Sequence, residues 1–277
     1  MPYSRQLSSS NPGCILFLLD QSGSMSGGFA EQGGPSIPKA QGVADCVNRL
    51  IQELILRCQQ GEAIRDRIHV GIITYGGSAQ MPQAFRSLSE LNAQPLREES
   101  RTKIVQVYDG SGGTTPQTIE VKFPIWCDPV ASGGTPMCGA LDLAAERLKA
   151  WADAHPSSFP PIVFNITDGE ATDGDPSAGL GKVKTLGTDD GSALVFNLLL
   201  SNGHGASLHF PTDGNGVNAA PLRTLIEGAS PLPEAMRQRA AQLYETPLPE
   251  GSRGVVLNGS ILDVVKLLDI GSTPANG

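Results

Sequence analysis

Apolar residues gather along this chain in short unbroken runs, and two of these runs stop at an aspartate. Cys14–Leu19 ("CILFLL") ends at Asp20, and "PIVFNIT" ends at Asp168. Continuous apolar runs of this length predict central parallel strands covered on both faces. "RIHVGIITYGG" and "ALVFNLLL" predict two more strands. Between them the period changes. Val43, Cys46, Val47, Leu50, Ile51, Leu54, Ile55 and Cys58 recur at helical spacing, with Pro38 near the start and Gly61 just beyond the end. Met137, Leu141, Ala144, Leu148 and Trp151 predict a second amphipathic helix, from Pro136 to about Ala154. Residues 77–130 carry Pro82, Pro95, Pro116 and Pro124 and two alternating stretches, "KIVQVY" and "TIEVKF". Alternation predicts half-buried antiparallel strands at a sheet edge. The C-terminal part predicts helices near 219–228, 233–244 and 260–269 and a short strand, "GVVLN".

Strands alternating with helices predict an α/β fold. We expect a Rossmann-like, doubly wound, mostly parallel central sheet with one antiparallel edge strand and helices on both faces. A length of 277 residues fits a single domain over 1–277, with 77–130 as an elaboration at the sheet edge and 211–277 as a C-terminal helical extension. Hydrophobic residues at 39% and charged residues at 17% supply a core and exclude a disordered chain.

Charge narrows the partners. A net charge of −8 with no basic face argues against nucleic acid. The N-terminal "MPYSRQLSSSNPG" has no apolar segment of the kind a leader needs, and no run approaches the roughly 20 residues that span a membrane. A cytoplasmic location and no membrane partner are therefore expected. The five cysteines form no C-x-x-C pair, and three lie within apolar patterns as small hydrophobes. Cys127 and Cys138 flank one loop, and their pairing stays open.

In open α/β sheets, ligands bind beyond the carboxyl ends of the strands. The segments placed there here are "DQSGSM" (Asp20, Ser22, Ser24), "SGGTP" (Thr135) and "ITDGE" (Asp168). All five side chains are oxygen donors, a set suited to Mg²⁺, Mn²⁺ or Ca²⁺ and poor for Zn²⁺. A second threonine segment, "SGGTTPQ" at Ser111–Gln117, precedes an alternating strand pattern. Thr135–Pro136 instead precedes a helical pattern, where Thr followed by Pro is a start signal. On that pattern alone, Thr135 reads first as a helix cap.

Taken together, D-x-S-x-S, the later threonine and the second aspartate resemble the metal-ion-dependent adhesion site of the von Willebrand factor A-type domain family. The resemblance covers about residues 12–210 well and the remainder loosely. It implies Asp20, Ser22, Ser24, Thr135 and Asp168 as ligands of Mg²⁺, with Mn²⁺ or Ca²⁺ as alternatives. The aspartates would bind directly or through water. It also implies an open coordination position that takes a Glu or Asp side chain from a partner protein. The likeness to intracellular bacterial members suggests stress-response or signalling systems. Glu170, Asp173 and Asp175 in "DGEATDGD", and Glu31 after the serines, read as loop and cap residues or as a rim of the site. They do not form a calcium loop with a final glutamate.

Catalysis has little support in the residues. G-x-S-x-G is absent, since Gly23–Gly27 reads "GSMSG", and His69, His155, His204 and His209 include no evident base for Ser24. The Gly-rich loop contains neither phosphate-binding motif. The expected function is a metal-dependent protein-interaction module that is not an enzyme. A purely structural metal site is the alternative, and a metal-dependent hydrolase the more distant one.

Overall fold

The computed structural model describes residues 2–29, 36–108, 113–201 and 206–276. In chain order the main elements are β1 (Gly13–Asp20), α1 (Lys39–Cys58), β2 (Ile68–Tyr75), β3 (Ala79–Ser87), α2 (Leu88–Ala93), β4 (Arg97–Tyr108) and β5 (Thr114–Ile125). They continue with α3 (Met137–Ala154), β6 (Ile162–Thr167), α4 (Ser177–Thr185), β7 (Leu194–Leu200) and β8 (Leu208–His209). The last are α5 (Ala220–Gly228), α6 (Glu234–Leu243), β9 (Val255–Gly259) and α7 (Ile261–Gly271).

Seven strands form one sheet in the order β8-β9-β7-β6-β1-β2-β3. The five inner strands run parallel to one another. An antiparallel strand closes each edge, β3 on β2 and β8 on β9, where one such edge was expected. Pro82 fits its place in β3, because an edge strand tolerates the lost donor.

Strand β1 is buried at all eight positions, and its side chains divide by parity. Ile15, Phe17 and Leu19 face one core, with α1, α6 and α7. Cys14, Leu16 and Leu18 face the other, with α3, α4 and α5. An unbroken apolar run is thus the sum of two alternating faces, both covered. In the first core, Phe17, Phe164 and Phe196 sit side by side in register on β1, β6 and β7. Their rings are 5.5 and 5.2 Å apart. Helix α7 closes over this row at Gly271, where a Cβ would fall 2.2 Å from the Phe164 ring.

Local signals set several element ends. Ser87 and Glu90 form a capping box that starts α2, and Ser260 and Asp263 form one that starts α7. Strands β4 and β5 pair with each other over twelve residues as a separate ribbon. Its base is fixed by Asn48 of α1. Asn48 Oδ1 accepts from Trp126 N (2.8 Å) and Cys127 N (3.0 Å), and Nδ2 donates to Cys127 O (2.9 Å). All five cysteines are free thiols, and burial pushes that of Cys127 up to about 12. No helix among the described residues is long and apolar enough to cross a membrane.

Candidate metal centre

The register of the sheet brings the two aspartates together. Leu19 pairs with Ile166, so the chains leave β1 and β6 side by side at Asp20 and Thr167–Asp168. Asp20 is only 2% exposed and its carboxylate is held from two sides. Oδ1 accepts from Ser22 N at 2.8 Å, and Oδ2 accepts from Thr167 Oγ1 at 2.6 Å. Burial pushes the Asp20 carboxyl above its usual range, partly offset by the Thr167 and Ser22 hydrogen bonds; the charge of Asp168 adds to the rise.

The hydroxyls form a directed chain. Ser24 Oγ donates to Asp168 Oδ1 at 2.6 Å. Its only proton is thereby used, so in the 3.0 Å contact between Ser22 Oγ and Ser24 Oγ the donor is Ser22. Both serine oxygens keep lone pairs that no proton occupies. A hydroxyl that donates to a carboxylate and retains a lone pair is a suitable ligand for a hard cation.

Thr135 reaches this edge through direct backbone contact between loops. Ser132 N donates to Gln21 O (2.6 Å) and Gly23 N to Gly133 O (3.0 Å). Gly133 has φ +84°, and a Cβ there would lie 2.7 Å from Gly77 N; a Cβ on Gly76 would lie 2.7 Å from Ser132 O. Only glycines permit this approach. Thr135 is 5% exposed, and its Oγ1 is 4.0 Å from where a Cβ on Gly169, the residue after Asp168, would stand. Its backbone is clamped to Thr172, with Thr135 N donating to Thr172 Oγ1 (3.0 Å) and Thr172 N to Thr135 O (2.9 Å). The structure therefore places all five expected residues at one edge of the sheet.

The acidic loop divides by role. Asp173 accepts from Cys138 N (3.0 Å) and Gly139 N (2.9 Å), and so caps α3 from another segment. Burial raises its carboxyl, but these backbone bonds outweigh that and hold it below the usual range. Asp175 accepts from Ser177 N at the start of α4. Glu170 is exposed. Glu31 lies outside the described residues, as does His204.

Lys39 is absent from the sequence expectations. Its Nζ donates to Asp168 Oδ2 at 2.9 Å, with both side chains withdrawn from solvent. One signal was available in the sequence. A lysine in the first turn of a helix opposes the helix dipole and is unusual there. Beneath the site runs a buried polar line that the sequence did not suggest. Tyr75 OH donates to Asn165 Oδ1 (2.8 Å), Asn165 Nδ2 to Asn197 Oδ1 (3.1 Å), and Asn197 Nδ2 to Leu225 O (2.7 Å).

No cluster of three His, Cys, Asp or Glu side chains suited to a metal occurs among the described residues. The donor set fits a divalent ion only if hydroxyl oxygens join the two aspartates. The three histidines within the described residues have other contacts. Trp151 Nε1 donates to His69 Nδ1, His155 Nδ1 contacts Trp151 O, and His209 Nε2 contacts Asp263. Beside Asp168 opens a cavity of about 510 Å³ bordered by Met137, Glu170, Pro221, Leu222 and Leu225.

No family model matches the chain, and no curated protein does. Solved structures do resemble it. The conserved hypothetical protein BatB from Bacteroides thetaiotaomicron is 18% identical over 75% of this chain and 74% of its own, with a TM-score of 0.42. Proximal thread matrix protein 1 (PTMP1) from the mussel byssus is 14% identical over 93% of this chain and 46% of its own, with a TM-score of 0.51. The vWF domain of the type V pili tip protein Mfa5 from Porphyromonas gingivalis is 13% identical over 61% of this chain and 40% of its own, with a TM-score of 0.33. The chain thus spans less than half of the PTMP1 and Mfa5 chains. PTMP1 has also been solved with a zinc-occupied MIDAS motif.

The expectation of a cytoplasmic location does not stand, since the solved structures that share the fold include the byssus thread matrix protein PTMP1. The features behind that expectation do not decide a compartment. Four of the five cysteines are buried and serve as packing, which works in either redox setting. Sheet order, two-sided helix cover and the likeness to solved structures give the chain a von Willebrand factor A-like, Rossmann-type α/β fold.

Proposed function

We propose that the chain is a protein-interaction module whose binding site is completed by a divalent cation. The observation that carries this is the hydroxyl chain Ser22–Ser24–Asp168, which meets Asp20 at the strand ends and leaves lone pairs on both serines. Asp20, Ser22, Ser24, Thr135 and Asp168 would hold the ion. Mg²⁺ fits their hard oxygens best, with Mn²⁺ and Ca²⁺ as alternatives. The ion supplies Lewis acidity toward an incoming anion. The chain's own part is to gather neutral hydroxyls and no more than two carboxylates, so that the loaded site does not repel an acidic side chain of a partner. The cavity beside Asp168 offers room for an apolar neighbour of that acidic residue.

Hydrolysis is disfavoured by the same geometry. Ser24 donates to Asp168, whose other oxygen is engaged by Lys39, and the three histidines within the described residues contact Trp151 and Asp263 rather than Ser24. Calorimetric titration of Mg²⁺ into the wild type and Asp20→Ala tests the reading. Heat of binding in the wild type and none in the variant is expected, together with a partner that leaves a pull-down when EDTA is added. Equal heats in the two proteins would remove the site.

A further inference from the structure

We propose that Lys39 is a built-in counter-cation of this site, which weakens its hold on the metal and strengthens its demand for an acidic partner. The inference rests on the metal-binding reading above and extends it. Three observations place Lys39 there against its own preferences. It is 2% exposed, although lysine is rarely buried. It is the first residue of α1, the positive end of the helix dipole, and its backbone N–H is tied to Gly27 O at 2.8 Å. Its ammonium contacts Asp168, one of the two site carboxylates, on the oxygen opposite the one that Ser24 binds. A surface lysine would cost less in every respect.

Charge counting gives the consequence. Asp20 and Asp168 alone would neutralise a divalent ion, and the loaded site would have no electrostatic need for an anion. With Lys39 the loaded site carries an excess positive charge in a desolvated setting. One carboxylate from a partner restores neutrality. The ammonium and the metal repel each other, so the empty site binds metal less tightly than its donor set alone would allow. Metal and acidic partner are then coupled, each raising the affinity for the other.

The test uses Mg²⁺ alone and then Mg²⁺ with acetate as the carboxylate probe. Calorimetry is run on the wild type, Lys39→Met, Lys39→Gln and Lys182→Met. Lys39→Met removes the charge at similar length, and Lys39→Gln keeps a hydrogen-bond donor for Asp168 should the first variant fold poorly. Lys182 bonds Asp142 on the surface and controls for net charge. Both Lys39 variants are expected to bind Mg²⁺ ~10-fold or more tighter than the wild type. In both, the gain in Mg²⁺ affinity that acetate gives the wild type should disappear, while Lys182→Met behaves as wild type. Mg²⁺ binding by the Lys39 variants alone would also support the role. Affinities equal to or weaker than wild type in both would reduce Lys39 to a structural ion pair and leave the metal reading standing. No Mg²⁺ heat in any of the four proteins would overturn both.

Discussion

Ser24 Oγ donates a 2.6 Å hydrogen bond to Asp168 Oδ1 and so joins two loops that are 144 positions apart in sequence. The bond sits at an exposed residue, so its loss costs little stability, about 1 kcal/mol or less. Its loss also removes a proposed ligand and one of the bonds that orient Asp168. Ser24→Ala is expected to lower Mg²⁺ affinity by ~10-fold or more while the urea midpoint hardly moves. Calorimetry and urea unfolding on the same preparation read the two effects separately.

Gly133 and Gly61 offer a matched pair. Both have positive φ, +84° and +62°, but a Cβ on Gly61 meets nothing within 4 Å, whereas one on Gly133 strikes Gly77 N. Gly61→Ala should cost only the left-handed strain, about 1 kcal/mol, with Mg²⁺ affinity unchanged. Gly133→Ala adds a steric clash of about 1–3 kcal/mol and pushes the Thr135 loop off the Gly76–Gly77 turn against which it is seated. Thermal melts should rank the two, and calorimetry should show weakened Mg²⁺ binding in Gly133→Ala alone.

Asn48 satisfies three backbone groups of Trp126 and Cys127 at the root of the β4–β5 ribbon, and the chain from there leads directly to Ser132 and Thr135. Asn48→Ala strands those groups in a buried setting. A loss of about 2–4 kcal/mol in urea unfolding is expected. Asn48→Asp keeps the acceptor for both N–H groups but sets a carboxylate against Cys127 O, so it should fall between the wild type and the alanine variant.

Asp263 is the clearest source of acid sensitivity. Burial raises its carboxyl, but hydrogen bonds from His209, from the backbone and side chain of Ser260, and from Tyr244 outweigh that and hold it well below the usual range. A depressed carboxylate stabilises the fold above its unfolded value, near pH 4, and that stability is lost as pH falls toward the folded value. Urea midpoints should therefore be flat for this group from pH 7 to 5 and then drop. Asp263→Asn should start lower at pH 7, and its gap from the wild type should narrow by pH 3.5.

Much of the sheet was legible because its strands are unbroken apolar runs. β1, β2, β6 and β7 each announce themselves, and Asp20 and Asp168 mark where two of them stop. Helices α1 and α3 were equally plain from their spacing. Pairing was less legible. "KIVQVY" and "TIEVKF" alternate as strands do, but alternation does not name the partner, and each pairs with the other. β9 enters the sheet between β7 and β8, a parallel contact made across more than fifty residues that no local pattern encodes. Lys39 was missed for a different reason. A lone lysine at a helix start looks like a surface residue, and its burial comes with a tertiary contact to Asp168, just beyond β6.

The loops around Asp20, Gly76 and Gly133 meet backbone to backbone, with no side chain interposed. A foundation made of peptide groups is indifferent to the identity of the residues standing on it. Selection can therefore rewrite the exposed collar of this site, and with it the choice of companion, while the ion seat beneath keeps its dimensions.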